Sequence, residues 1–213
     1  MNLGNEPVVW LDLETGGTDP QRHQITQVAA IATMRGSMEE RGEPFERKVV
    51  LVDGKYTDKA LEVQGYTPER WADAIPMFEV LEEFGAWLRN NNHTHSATSK
   101  KGNTYEVAHL GGHNLGFDVD FLNATCKRMT GGERGYWLPV TKWAGGWLDT
   151  LHMAKWVGAL YGHKHTSLQL GDLCDYYELP HPEDHDALGD VRATILLART
   201  LANQLRYDWA SEQ

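Results

Sequence analysis

The chain is short of positive charge, of cysteine and of long apolar runs. Among 213 residues, Lys and Arg number 20 against 30 Asp and Glu, a formal net charge of −10. That balance argues against broad electrostatic binding of a polyanion, which needs a basic surface. It leaves room for a small site where cations offset negative charge. No apolar stretch approaches the ~20 residues of a membrane-spanning helix. The N-terminus lacks the charged-then-apolar pattern of a signal peptide. The 2 cysteines, Cys126 and Cys174, lack metal-ligand spacing and read as reduced thiols. Together these absences predict a cytoplasmic protein that avoids membranes. No repeat or linker divides the chain, and its length suits one domain, residues 1–213.

What is present is organised around Val8-Val9-Trp10-Leu11-Asp12-Leu13-Glu14-Thr15-Gly16-Gly17. The apolar run reads as a buried strand, closed by the glycines. Side chains alternate along a strand, so Asp12 and Glu14 project from one face, one pleat apart. Like charges that close repel and lose solvation unless something positive lies between them. A divalent ion with oxygen ligands answers that need. The plainer alternative is that both acids face solvent in the following loop.

The remaining pattern predicts strands at 26–33 and 45–52, a meander with the first. A short helix is expected over Asp58–Val63. A second is expected to start at Thr67-Pro68, and a longer one to run over Pro76–Arg89 with Val80, Leu81, Phe84, Trp87 and Leu88 on one stripe. Asn90–Asn103, rich in Asn, Ser, Thr and Lys, reads as a mobile surface loop; His93 and His95 there could bind metal in principle, but the expectation is that they lie in solvent. Tyr105–Leu110 reads as a strand, followed by His113 to Asp118 and a helix with Phe121, Leu122, Thr125, Cys126 and Met129 inward. Asp118 thus falls at a strand-to-helix junction, where open α/β sheets commonly place their sites. Gly131–Gly146 is irregular. Trp147–Thr150 reads as a last strand, with Asp149 or Thr150 capping the helix over Leu151–Leu160. A helix over Ser167–Tyr177, a Pro-rich break and a final helix with Val191, Ile195, Ala198, Leu201 and Leu205 inward complete the chain. The class is α/β, a mixed central β-sheet with flanking α-helices.

Four carboxylates and a histidine stand at element ends: Asp12, Glu14, Asp118, His185 and Asp190. In order, Asp12-Leu13-Glu14, His113 through Asp118 with Asn114, and His185 through Asp190 resemble the three motifs of the DnaQ-like 3′–5′ exonucleases, DEDDh subclass. Connecting blocks at Gln64–Thr67, Ile75–Phe78, Asp149-Thr150 and Ser167-Leu168 are similar to that family's, so the resemblance spans about residues 7 to 202. It implies a ribonuclease H-like fold and two divalent ions, Mg²⁺ or Mn²⁺, ~4 Å apart at the scissile phosphate. Asp12, Glu14, Asp118 and Asp190 would hold them. His185 would be the general base on the attacking water without ligating the same ion, since imidazoles titrate near ~6.5. Thr15, Gly16, Asn114 and Phe117 would contact the terminal nucleotide, and nucleoside 5′-monophosphates would leave from a free 3′-hydroxyl end. The family often has a second Thr where this chain has Gly16, which bears on substrate choice.

Through likeness to proofreading-type members the expected partner is nucleic acid with a free 3′ end, single-stranded DNA first. Trimming of RNA is the alternative, because Trp10 to Glu14 is similar to the oligoribonuclease branch. A non-catalytic binding module would have lost an acid or the histidine. A zinc hydrolase built on His163 and His165 lacks companion ligands. With no polymerase or helicase domain in this length, a stand-alone monomer or homodimer is expected.

Overall fold

In the strand β1 (Val8–Thr15) the odd and even residues face opposite layers, and this alternation sets the architecture. The computed structural model describes residues 6–130, 138–139, 147–182 and 185–211, the side chains of Trp147 and 206–211 excepted. Val9, Leu11 and Leu13 enter a core with Val80, Leu81, Phe84, Leu88, Phe121 and Leu122. These come from helices α2 (Met77–Asn90) and α3 (Leu115–Met129). Val8 and Trp10 enter a second core with Ala187, Val191, Ile195 and Ala198 of helix α6 (Ala187–Ser211). The sheet therefore lies between α2 and α3 on one side and α6 on the other. Asp12 and Glu14, at even positions, continue the face that looks toward α6.

Strands β2 (Ile25–Thr33) and β3 (Phe45–Lys48) extend β1 as an antiparallel meander. On its other edge, β6 (His109–Gly112) and β7 (Trp147–Asp149) run parallel to β1, giving the order β3-β2-β1-β6-β7. Every residue of β2 is buried, as a strand covered on both faces requires. Gly111 has no side chain because the indole of Trp10 occupies that space. That indole donates to Thr33 Oγ1 at 2.9 Å, which satisfies a polar group deep in the core.

The mixed sheet with flanking helices matches expectation, and so does helix α1 (Asp58–Val63), capped by Thr57. Several elements differ. β3 ends at Lys48 rather than Val52: Val49 still donates to Thr26 O of β2 at 2.8 Å, but on its other side it bridges Ile75, and the regular ladder stops there. The same pairing removes the helix expected from Thr67. Thr67 Oγ1 accepts from the Arg70 N–H at 3.2 Å, but the chain makes only turns before Ile75 is drawn alongside Lys48. The expected loop at 90–103 contains β4 (His95–Thr98), which pairs antiparallel with β5 (Thr104–Val107) as a two-stranded ribbon. The strand expected over Tyr105–Leu110 is consequently two, parted at Ala108.

Helices α4 (Thr150–Tyr161) and α5 (Leu170–Tyr176) pack on α6 through Ala154, Val157, Leu173, Leu197 and Leu201. α5 is shorter than the predicted 167–177. Met129 and Leu205, both expected inward, are exposed. Most of Gly131–Gly146 lies outside the described residues. Cys126 and Cys174 are buried free thiols, and burial pushes both up to about 11. Among the described residues no helix is long and apolar enough to cross a membrane.

Candidate active site

The C-terminal ends of the parallel strands β1 and β6 converge with the first turn of α6, and the predicted acids gather there. β1 delivers Asp12 and Glu14. α3 starts three residues after β6 and delivers Asp118 in its first turn. α6 delivers Asp190 in its own first turn. Asp118 is buried at 3% exposure, and its Oδ1 accepts from the Leu13 N–H at 3.1 Å. That bond fixes the α3 acid against the strand that carries the other two.

His185 joins the same group. Its Nδ1 lies 3.8 Å from Asp190 Oδ2, with the imidazole 62% exposed and the carboxylate 17%. One ligand atom from each of Glu14, His185 and Asp190 falls within 4.8 Å of the others. The sequence places the histidine above the acids and clear of the ion they share. The structure puts it within ligand range of two of them.

The electrostatics show how much negative charge is concentrated. Burial, reinforced by Asp118, Glu14, Asp190 and Asp186, pushes Asp12 well above the usual carboxylate range. Burial likewise raises Asp118. Glu14 rises to about 7, through burial and then the charges of Asp190 and Asp186. Asp190 rises to about 6, mainly through burial, with His185 working the other way. Acids that resist ionisation this strongly need a cation or protons. Oxygen donors from four carboxylates form a set suited to hard divalent ions.

The candidate substrate-contacting residues divide. Thr15 spends its hydroxyl on Gly17 O at 2.8 Å, and its own carbonyl accepts from Gln64 Nε2 at 2.8 Å. Gly16 is pressed against the 55–57 segment, where an added Cβ would lie 2.6 Å from Lys55 O. Asn114 is exposed, in the left-handed region at φ 57°. It borders a cleft of about 800 Å³ that also touches His113, Leu168, His181, His185 and Asp190. Phe117 is half-buried and packs on Phe121 at 4.9 Å. Thr15, Gly16 and Phe117 do not line that cleft.

Residues outside the predicted set hold this arrangement. Asp149 caps α4 as expected, but it also accepts from Asn114 N and Leu115 N at 3.0 and 3.1 Å, clamping the start of α3. His113 bonds Thr150 Oγ1 and Leu168 O at 2.8 and 2.9 Å. Gln64 is buried, accepts from Thr26 Oγ1 at 2.7 Å and steadies Thr15. Asp186 accepts from Gly189 N at 3.0 Å and from Gln27 Nε2 at 3.3 Å, and its charge reaches three of the acids. An Asp directly before a helix of small residues is a cap signature, so Asp186 was within reach of the sequence. His163 and His165 share the Tyr177 hydroxyl, 3.3 and 3.0 Å away.

Residues 9–101 match the RNase T exonuclease family model. Over 205 residues the chain is 26% identical to a PolC-type DNA polymerase III of Staphylococcus epidermidis, covering 96% of this chain. Exonuclease I of Methylocaldum szegediense superposes on 93% of the chain at 25% identity, with a TM-score of 0.65. Over residues 9–101 the chain is similar to the exonuclease family that the RNase T model describes. Exonuclease I of E. coli, solved with a dT13 oligonucleotide, shares the fold over 96% of the chain at 20% identity and a TM-score of 0.68. The chain spans 12% of the polymerase's length. It spans 40% and 43% of the two exonuclease I chains.

Proposed function

We propose that this DnaQ-like chain is a metal-dependent 3′–5′ exonuclease that releases nucleoside 5′-monophosphates from the 3′-hydroxyl ends of single-stranded DNA. The observation that carries the reading is the meeting of Asp12, Glu14, Asp118 and Asp190 with His185 at one end of the sheet. Such a density of ionisation-resistant acids has little structural use, and it fits a pair of Mg²⁺ or Mn²⁺ ions. When bound, those ions would polarise the scissile phosphate and offset the charge on the attacking and leaving oxygens.

The chain's own residues then have defined work. Asp12, Glu14 and Asp190 would hold one ion, and Asp12 with Asp118 would position the other. His185, on the solvent side of the group, takes the proton from the attacking water at a ring nitrogen. Leu13 N–H and Asp149 keep Asp118 and Asn114 in register with β1. The backbone at Thr15 and Gly16, with Asn114 and the Phe117 ring, receives the terminal nucleotide. An aromatic face accepts any base, so sequence preference should be weak. DNA is preferred as substrate on the strength of the dT13 bound to the E. coli neighbour.

Matched 3′-labelled DNA and RNA oligomers, single-stranded and duplex, test this in Mg²⁺ and in chelator. Stepwise release of mononucleotides from single-stranded DNA is expected, blocked by a 3′-phosphate and untouched by a 5′ cap. Activity surviving excess chelator, or cuts in circular single strands, would overturn it. Faster hydrolysis of RNA would move the substrate to the alternative branch.

A further inference from the structure

At the end of β1 opposite the carboxylates, a second set of ligating side chains comes together. Glu6 precedes β1, His95 opens β4 and His109 opens β6. Pairing brings them together, because His109 sits opposite Val8 and His95 opposite Val107. Glu6 Oε2 lies 2.6 Å from His109 Nε2. The rings of His95 and His109 stack at 4.1 Å with 17° between their planes. One ligand atom from each of the three residues falls within 4.8 Å of the others. His109 is 5% exposed, and Glu6 and His95 are half-buried.

Two stacked imidazoles cannot both carry protons without repulsion, whereas two neutral imidazoles and a carboxylate form a recognised zinc ligand set. The surroundings favour a neutral His95 and an ionised Glu6. Burial first, then the charge of His109, holds His95 below the usual histidine value. The hydrogen bond to His109 holds Glu6 below the usual carboxylate range. Arg35 is the opposing cation, and its charge reaches both groups.

We propose that Glu6, His95 and His109 bind a divalent transition cation of the Zn²⁺ type, at a site separate from the carboxylate cluster. Two nitrogens and one oxygen select Zn²⁺ over Mg²⁺, which takes oxygen ligands. Ligand atoms ~2.0–2.2 Å from zinc stand roughly 3.3 Å apart in a tetrahedron. Binding therefore opens the present Glu6–His109 contact by under ~1 Å and leaves a position for water. The ion would fasten the β4–β5 ribbon and the segment before β1 to the start of β6 in the main sheet.

Metal-stripped protein is titrated with ZnCl₂, and bound zinc is counted by elemental analysis after dialysis. Co²⁺ absorption reports nitrogen ligation independently. His95→Ala and Glu6→Gln should each bind one equivalent less than wild type and lose the corresponding Co²⁺ band. Their Mg²⁺-supported nuclease activity should be unchanged, so failure of this site is distinguishable from failure of the exonuclease reading. Asp12→Asn should retain the equivalent in question. Glu6→Gln keeps a hydrogen-bonding group beside His109 and guards against a folding defect. Equal zinc content and equal Co²⁺ spectra in wild type, His95→Ala and Glu6→Gln would overturn the proposal. So would loss of all zinc in Asp12→Asn.

Discussion

The Leu13 amide and the Asp118 carboxylate, 105 residues apart in sequence, are joined by one buried hydrogen bond of 3.1 Å. Asp118 thus combines an acid that could hold metal with a clamp between α3 and β1. Its two roles separate by substitution. Asp118→Asn keeps an oxygen to accept from Leu13 but loses the charge, so activity should collapse while stability holds or rises. Asp118→Ala should lose activity and also ~1–3 kcal/mol, because the Leu13 N–H is left unpaired. Urea unfolding of the metal-free variants checks the difference, and equal stability of the two would show the clamp to be unimportant.

The raised acids make the metal-free protein sensitive to pH. A carboxyl whose folded value lies above its unfolded value contributes stability that is full below the unfolded value and disappears as pH rises through the folded one. Glu14 and Asp190, at about 7 and about 6, set that window between roughly pH 4.5 and 7.5. Asp12→Asn should therefore gain most in Tm over metal-free wild type near pH 7.5 and least near pH 4.5. Saturating Mg²⁺ should close the gap by stabilising wild type. A gap independent of pH would contradict the charge crowding.

His93 pulls in the opposite direction. The sequence reads it as solvated, but it is 1% exposed, lies against Trp87 at 4.4 Å and has no hydrogen-bond partner on either nitrogen among the described residues. Burial, then the charge of Arg41, lowers it to about 4. A base held neutral in the fold contributes stability above its unfolded value near ~6.5, lost as pH falls toward 4. His93→Phe should remove up to ~3 kcal/mol of that acid loss. Comparing the slope of stability against pH from 6.5 to 4 in the two proteins isolates it from the carboxylates.

His185→Ala should slow kcat by ~10²–10⁴, the usual contribution of a general base. Metal affinity should stay near wild type, and the acid limb of the pH–rate profile should vanish. Because His185 stands within ligand range of Glu14 and Asp190, the competing outcome is concrete. Weakened Mn²⁺ binding with the acid limb intact would make it a ligand and not the base.

Gln64 links Thr26 to the Thr15 carbonyl. Gln64→Leu should raise KM severalfold with a smaller effect on kcat, since it loosens the loop proposed to receive the 3′ end. A fall in kcat alone would place the damage at the acids.

The acids were legible because a strand's period of two puts Asp12 and Glu14 on one face whatever follows. Asp118 and Asp190 were legible because helix starts are easily read. The β4–β5 ribbon was not. Apart from buried Val107, its residues alternate between half-buried and exposed, and a polar ribbon that covers so little apolar surface has only a weak hydrophobic signal. The Thr67 turn carries a genuine capping contact, yet pairing of Ile75 with Lys48 and Val50 overrides the local preference for helix. Gln64 and Asp149 act through backbone groups distant in sequence, which local pattern does not encode.

Gly16 accepts from Thr57 N and donates to Gln24 O, both at 2.8 Å, while Lys55 O and Tyr56 fill the space a side chain would need. A Thr at this position cannot be introduced without moving the 55–57 backbone. The two segments therefore mutate as a unit. A library varying Gly16 alone should yield almost entirely inactive or unstable clones, whereas one that also varies the length of the 53–57 turn should recover functional combinations, so the route to altered end recognition in this chain runs through paired changes.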